Sequence, residues 1–117
     1  MKIARTATLL LIAIGLVVFI ACTPATVTKG DTGKGKLVFN DVNFGAGTSE
    51  KSCNSCHPDG KGLEKAGEKK AFTIMGQNQN SLEEAVNFCI EMALKGKAID
   101  PKSEDMDNIV AYIKSIK

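Results

Sequence analysis

Two cysteines and a histidine, in the run Cys53-Asn-Ser-Cys56-His57, narrow the folds open to this chain more than any other segment. Thiols at the two ends of a four-residue turn lie on one side of it. The imidazole that follows directly is placed beside them. This is the pattern for covalent attachment of a c-type haem. The thiols of Cys53 and Cys56 add across the two vinyl groups, and His57 becomes the proximal iron ligand. A single run of this kind implies one haem c. The macrocycle would also supply apolar bulk that the chain lacks. Beyond residue 21 its aromatic residues are Phe39, Phe44, Phe72, Phe88 and Tyr112, and it has no Trp. A domain of under 100 residues buries a modest share of its surface and often needs a disulfide, metal or cofactor to hold it.

The same residues have other chemical uses. A thioredoxin-like redox pair calls for a βαβ setting, and no strand precedes Cys53. A zinc site would draw on Cys53, Cys56, His57 and Cys89, although structural zinc more often joins two close-spaced ligand pairs. A local disulfide is the least favoured. Export separates these readings, since c-type haem is attached outside the cytoplasm. Leu9 to Ala21 is almost unbroken apolar sequence behind Lys2 and Arg5. It falls short of the roughly 20 residues of a membrane-spanning helix and has the layout of an export signal over residues 1–21. Phe19-Ile-Ala-Cys22 resembles a lipoprotein cleavage box, with Cys22 as the acylated residue; ordinary cleavage a few residues later is the alternative. Removing the signal leaves 96 of the 117 residues and takes two of the 15 basic residues, so 13 basic balance 13 acidic. With no basic excess to meet phosphates, a general nucleic-acid binder is excluded as a first reading. The expected place is the periplasm, with membrane contact only through a lipid on Cys22.

Residues 22–33 read as a flexible tether and residues 34–117 as the folded domain. A short helix is expected over Lys34–Asn40, with Leu37, Val38 and Phe39 as its apolar content. Asn43–Ser52 is a Gly/Ser/Thr loop, and Pro58-Asp-Gly-Lys-Gly62 carries strong turn chemistry. Glu64–Lys70 suits a helical turn, Phe72, Ile74 and Met75 form an apolar island, and Gly76–Asn80 is a polar loop. Ser81-Leu-Glu-Glu84 reads as a capping box. Leu82, Ala85, Val86, Cys89, Ile90, Ala93 and Leu94 follow at helical spacing, and Gly96 suits the stop. A last helix starts near Ser103. Glu104, Asp105 and Asp107 sit at its head and Lys114 and Lys117 at its tail, matching the helix dipole. Met106, Ile109, Val110 and Ile113 form its stripe. No period-2 pattern is visible, so the expected fold is all-α, with three to four short helices around one haem.

The order of these parts, ending in Ile109-Val-Ala-Tyr-Ile113, resembles the class I cytochromes c over essentially the whole mature chain. The resemblance implies that the first and last helices cross beside the haem, with Gly35 and Phe39 against Tyr112. That family usually takes its sixth ligand from a Met in a Met-Pro type of loop, which this chain lacks. Val86-Asn-Phe-Cys89-Ile, Ala93-Leu-Lys-Gly-Lys97 and Ser103-Glu-Asp-Met106 are similar to the haem domains of thiosulfate-oxidising cytochromes. There, a Cys at the position of Cys89 ligates iron as a thiolate. Cys89 as a buried core thiol, or in a disulfide with Cys22, remains open beside that role. Met92, Met106 and Met75 remain open as alternative ligands.

The function expected is one-electron transfer between periplasmic redox proteins, with another small cytochrome as a candidate partner in a hetero- or homodimer. The alternatives are a subunit that oxidises thiosulfate or another sulfur compound, and an NO- or CO-binding haem protein. Lys51, Lys61, Lys65, Lys69 and Lys70 flank the haem motif and either steer an acidic partner or form a solvated face. Asn78, Gln79 and Asn80 are candidates for hydrogen bonds to haem propionates. If Cys22 carries lipid, Cys22→Ser moves the protein from the membrane to the soluble fraction after lysis; wild-type protein already in the soluble fraction removes the anchor.

Overall fold

A computed structural model describes residues 30–117; the segment expected to be an export signal, Cys22 and most of the expected tether lie outside the described residues. The fold is mostly helical. Among the described residues there are four α-helices, α1 (Thr32–Asn40), α2 (Cys53–Cys56), α3 (Leu82–Met92) and α4 (Glu104–Ser115), with short 3₁₀ turns before and after α2. Among the described residues, no helix is long and apolar enough to cross a membrane. One small sheet departs from the all-α expectation. Phe72–Ile74 (β1) and Gln77–Gln79 (β2) pair antiparallel, with Thr73 opposite Asn78. Met75 and Gly76, at φ 51 and 79, make the two-residue turn between them. Positive φ at both turn positions suits the twist of a tight hairpin. Three residues per strand are too few for an alternating pattern to register, so the apolar island and polar loop of the sequence are in fact the two arms of this hairpin.

Helix α1 starts two residues earlier than its sequence suggests, because Asp31 caps it: Asp31 Oδ1 accepts from the Lys34 N–H at 2.8 Å. Such a cap stabilises a helix by about 1 kcal/mol. Of its apolar residues only Phe39 is fully buried, and Leu37 is 74% exposed. The Asp31 N–H also donates to Asn108 Oδ1 at 2.7 Å, and Lys34 pairs with Glu104 at 2.7 Å. These bonds tie the head of α1 to α4.

The two helices touch through Gly35. A Cβ there would overlap the backbone carbonyl of Asn108 and stand 2.7 Å from Tyr112 Cβ, so only glycine lets them approach this closely. One turn on, the rings of Phe39 and Tyr112 meet edge to face, centroids 5.1 Å apart and planes at 62°. An aromatic pair of this kind is worth ~0.5–1.5 kcal/mol beyond its buried area. The contact of Gly35 and Phe39 with Tyr112 is thus present. Ser103 Oγ caps α4 by accepting from the Met106 N–H, and Met106, Ile109, Val110 and Ile113 enter the core as expected.

Helix α3 keeps half of its expected capping box. Ser81 Oγ accepts from the Glu84 N–H at 3.1 Å, but Glu84 Oε2 reaches past Ser81 and accepts from the Asn80 N–H at 2.7 Å. At its other end the left-handed residue is Lys95 (φ 55), not Gly96. Gly96 is needed for proximity instead, since its Cβ would collide with the Gly45 carbonyl. Gly35→Ala should destabilise the protein by about 3 kcal/mol, the upper range for overpacking a tight contact. Chemical denaturation checks this, and an unchanged midpoint refutes the helix–helix contact as drawn.

Candidate functional site

Ser52, Cys53, Asn54 and Ser55 build a single turn that orients two thiols. The turn is closed at its head because Ser55 Oγ accepts from the Ser52 N–H at 3.0 Å. At its tail the His57 N–H donates to the Cys53 carbonyl at 2.9 Å. Asn54 Oδ1 accepts from the Asp59 N–H at 2.8 Å, which folds the following Pro58–Gly60 turn back beneath it. Asp59 and Gly60 both take positive φ there.

The imidazole of His57 is held by one contact. Its Nδ1 lies 3.0 Å from the Lys61 carbonyl oxygen. A carbonyl only accepts, so Nδ1 carries a proton, and in the neutral ring the lone pair then lies on Nε2. That is the tautomer a neutral histidine needs to bind a metal ion through Nε2.

Cys53, Cys56 and His57 line a cleft of about 410 Å³. Its volume lies in the range of small-molecule and cofactor sites, roughly 300–1,000 Å³. Leu63, Phe72 and Ile74 wall it on the side of the loop and hairpin, Leu82, Ala85 and Val86 on the side of α3, and Phe39, Ile109 and Ile113 come from the crossing of α1 and α4. Cys89 lines the same cleft from α3. The helix therefore brings the third thiol to the cavity that holds the other two.

The walls decide the state of the thiols. Burial pushes the Cys53 thiol up to about 12, and the nearby Cys89 adds to the shift. Cys89 is raised as well, by burial first and by Cys56 second. An apolar cleft disfavours a thiolate, so these groups give up their protons to a positive centre or to a covalent bond and not to water. Among the described residues, Cys53, Cys56 and Cys89 form no disulfide; a pairing of Cys89 with Cys22 falls outside them. Among the described residues, no three His, Cys, Asp or Glu side chains come together as a metal-holding group, so the Cys₃His zinc set is not assembled.

The other sequence candidates stand elsewhere. Met106 is wholly buried in the helical core, Met92 is 42% exposed, and Met75 is 77% exposed at the hairpin turn. None of the three lines the cleft. Asn78 accepts from Thr73 Oγ1 at 2.8 Å, and neither it, Gln79 nor Asn80 reaches the cavity. Of the five lysines Lys69 lines the cleft, and all five are exposed. Sequence reasoning missed the Lys61 carbonyl and the wall formed by Leu63, Phe72 and Ile74. The Gly-rich turn after His57 was the available signal for the first; the hairpin was too short to announce the second. No protein-family model, curated protein or solved structure matches the chain.

Proposed function

We propose that this chain is an exported one-haem cytochrome of the class I fold that carries single electrons between redox proteins. Cys53 and Cys56 would hold the haem covalently, and His57 and Cys89 would be the side chains that ligate its iron. The observation that carries this reading is the meeting of all four side chains on one apolar cleft. Haem, when bound, supplies one-electron chemistry through ferric and ferrous iron.

The chain's own residues do the rest. The α2 turn presents both thiols on one side. The Lys61 carbonyl fixes the His57 tautomer and leaves Nε2 free to donate. The mostly apolar walls would shield a bound haem from water over much of its surface. Cys56 is exposed, so one edge of the cleft faces the solvent where a partner protein would dock. The lysines that flank it would favour an acidic partner, and the periplasm is the compartment in which haem attachment and such partners are expected.

A thiolate from Cys89 would stabilise the ferric state and lower the potential, whereas a thioether would do the reverse. Met92 and Met106 lie away from the cleft, which favours Cys89 over both. Two further readings, oxidation of thiosulfate and binding of NO or CO, are separated from electron carriage by assay. Thiosulfate turnover supports the first, a ferrous–CO adduct at modest CO the second, and rapid redox cycling with an unchanged spectrum the carrier.

Cys53→Ala combined with Cys56→Ala should abolish covalent haem, seen as loss of haem stain on a denaturing gel, and leave an unfolded chain. A stable folded apoprotein overturns the view that the haem completes the core. Cys89→Met should raise the reduction potential by on the order of 0.1 V or more, within the ~0.8 V that axial ligands command. Cys89→Ala should give high-spin ferric signals, and Met92→Leu added to it should change nothing further. A wild-type spectrum and potential in Cys89→Ala would make Cys89 a core thiol only.

A further inference from the structure

The peptide unit that joins Lys61 to Gly62 is engaged on both sides. Its carbonyl oxygen accepts from His57 Nδ1–H at 3.0 Å. Its N–H donates to Glu64 Oε1, also at 3.0 Å. Imidazole, peptide and carboxylate thus form one continuous hydrogen-bonded chain, with the anion at the far end.

Hydrogen bonds in series polarise one another. A carboxylate at the N–H end draws the positive end of the peptide dipole and loads negative charge on the carbonyl oxygen. That oxygen then pulls harder on the Nδ1 proton, and Nε2 becomes a stronger donor, as outer-shell partners of ligating histidines generally achieve. We propose that Glu64 is a positioning residue that acts through the Lys61–Gly62 peptide to fix the tautomer and raise the donor strength of His57. The inference rests on His57 being an iron ligand, as proposed above.

The surrounding backbone supports such a role. Gly62 holds φ 86, and a Cβ there would stand 3.8 Å from His57 Nδ1, so the peptide lies close to the Nδ1 edge of the ring. The Leu63 N–H donates to the Gly60 carbonyl at 2.9 Å, and the Ala66 N–H to the Leu63 carbonyl at 2.9 Å. Gly60 is seated on Ile116, whose Cδ1 would be 2.5 Å from an added Cβ. The loop is therefore a fixed turn against the tail of α4. The Gly62 N–H holds the Glu64 carboxyl below the usual carboxylate range, with Lys61 and His57 adding to it, so the anion is present at neutral pH.

The test compares wild-type holoprotein with Glu64→Gln and Glu64→Ala. The readouts are the reduction potential at low and high salt and the NMR resonance of His57 Nδ1–H. Glu64→Ala should raise the potential and move the resonance upfield with faster exchange. Glu64→Gln keeps an acceptor oxygen without the charge and should fall between. Both shifts should persist at high salt, because a through-space effect of an exposed charge is screened there and a bonded one is not. An unmoved Nδ1–H resonance in Glu64→Ala overturns the proposal, whether the potential stays put or shifts only at low salt. Wild-type protein without covalent haem overturns the cytochrome reading and this inference together, whereas holoprotein with silent Glu64 variants overturns this inference alone.

Discussion

The approach of α1 to α4 at Gly35 is the contact from which the rest of the molecule is built. Because no side chain stands between Gly35 and the Asn108 backbone, Phe39 can slide under Tyr112 and complete the floor of the cleft with Ile109 and Ile113. Asn108 is buried at the same crossing and accepts the Asp31 N–H, so a polar group that would be costly alone is satisfied where the helices meet. The far end of α4 is used again. Ile116 seats Gly60, and Lys114 lies against Gly67, so the loop after His57 rests on the helix whose position Gly35 sets. A displacement at the crossing is therefore felt at the Lys61 carbonyl.

The cleft is an unfavourable place for a charged sulfur, and that cost has a use. Ala85, Val86 and Leu82 give the α3 side of the cleft an apolar wall, and Leu63, Phe72 and Ile74 give the loop and hairpin side another. Burial raises the Cys53 and Cys89 thiols and favours their protonated form, which a positive centre beside them would reverse. The imidazole meets the opposite treatment. It donates a hydrogen bond from Nδ1 to the Lys61 carbonyl that leaves Nε2 without a protein partner on that side. One side of the cleft is prepared by a hydrogen bond and the other is restrained by desolvation.

Much of this was legible in the sequence, for physical reasons that differ by segment. The α2 thiols and imidazole were readable because a four-residue turn is local. α3 and α4 were readable because Ser81 and Ser103 cap long amphipathic runs whose stripes became the core. Gly35 against Tyr112 came from resemblance, since no periodicity reveals a contact between helices far apart in the chain. The hairpin was missed because its strands are three residues each and it is held by packing on α3, not by an alternating pattern. Glu84 and Gly96 were given roles that fit their residue types, but neighbours redirected them: the Asn80 N–H lay closer to the carboxylate, and Gly45 needed the space at Gly96. Among the sulfur candidates, spacing could not rank Cys89 against Met92, which sits about one turn on; the cleft does, because half-buried Cys89 lines it and exposed Met92 does not.

The separation of Cys89 from the α2 turn is set by neither helix. The segment from Gly45 to Ser52 sets it. The Thr48 and Ser49 N–H groups donate to the Leu94 carbonyl at 2.9 and 3.1 Å, and the Lys97 N–H donates to the Gly45 carbonyl at 2.7 Å. These bonds clamp the loop to the chain just beyond the end of α3. Three residues after Ser49 the same loop becomes Ser52, the head of the α2 turn. A short span of backbone therefore runs from the clamp on α3 to Cys53, and it limits how far the two walls can part. His57 is held from below by the α4-seated loop, and Cys89 is tied from the side by this strap. The two candidate ligands thus hang on different supports. A distortion of the α1–α4 crossing would disturb the imidazole first, and a break between Thr48 and Leu94 would disturb the thiol.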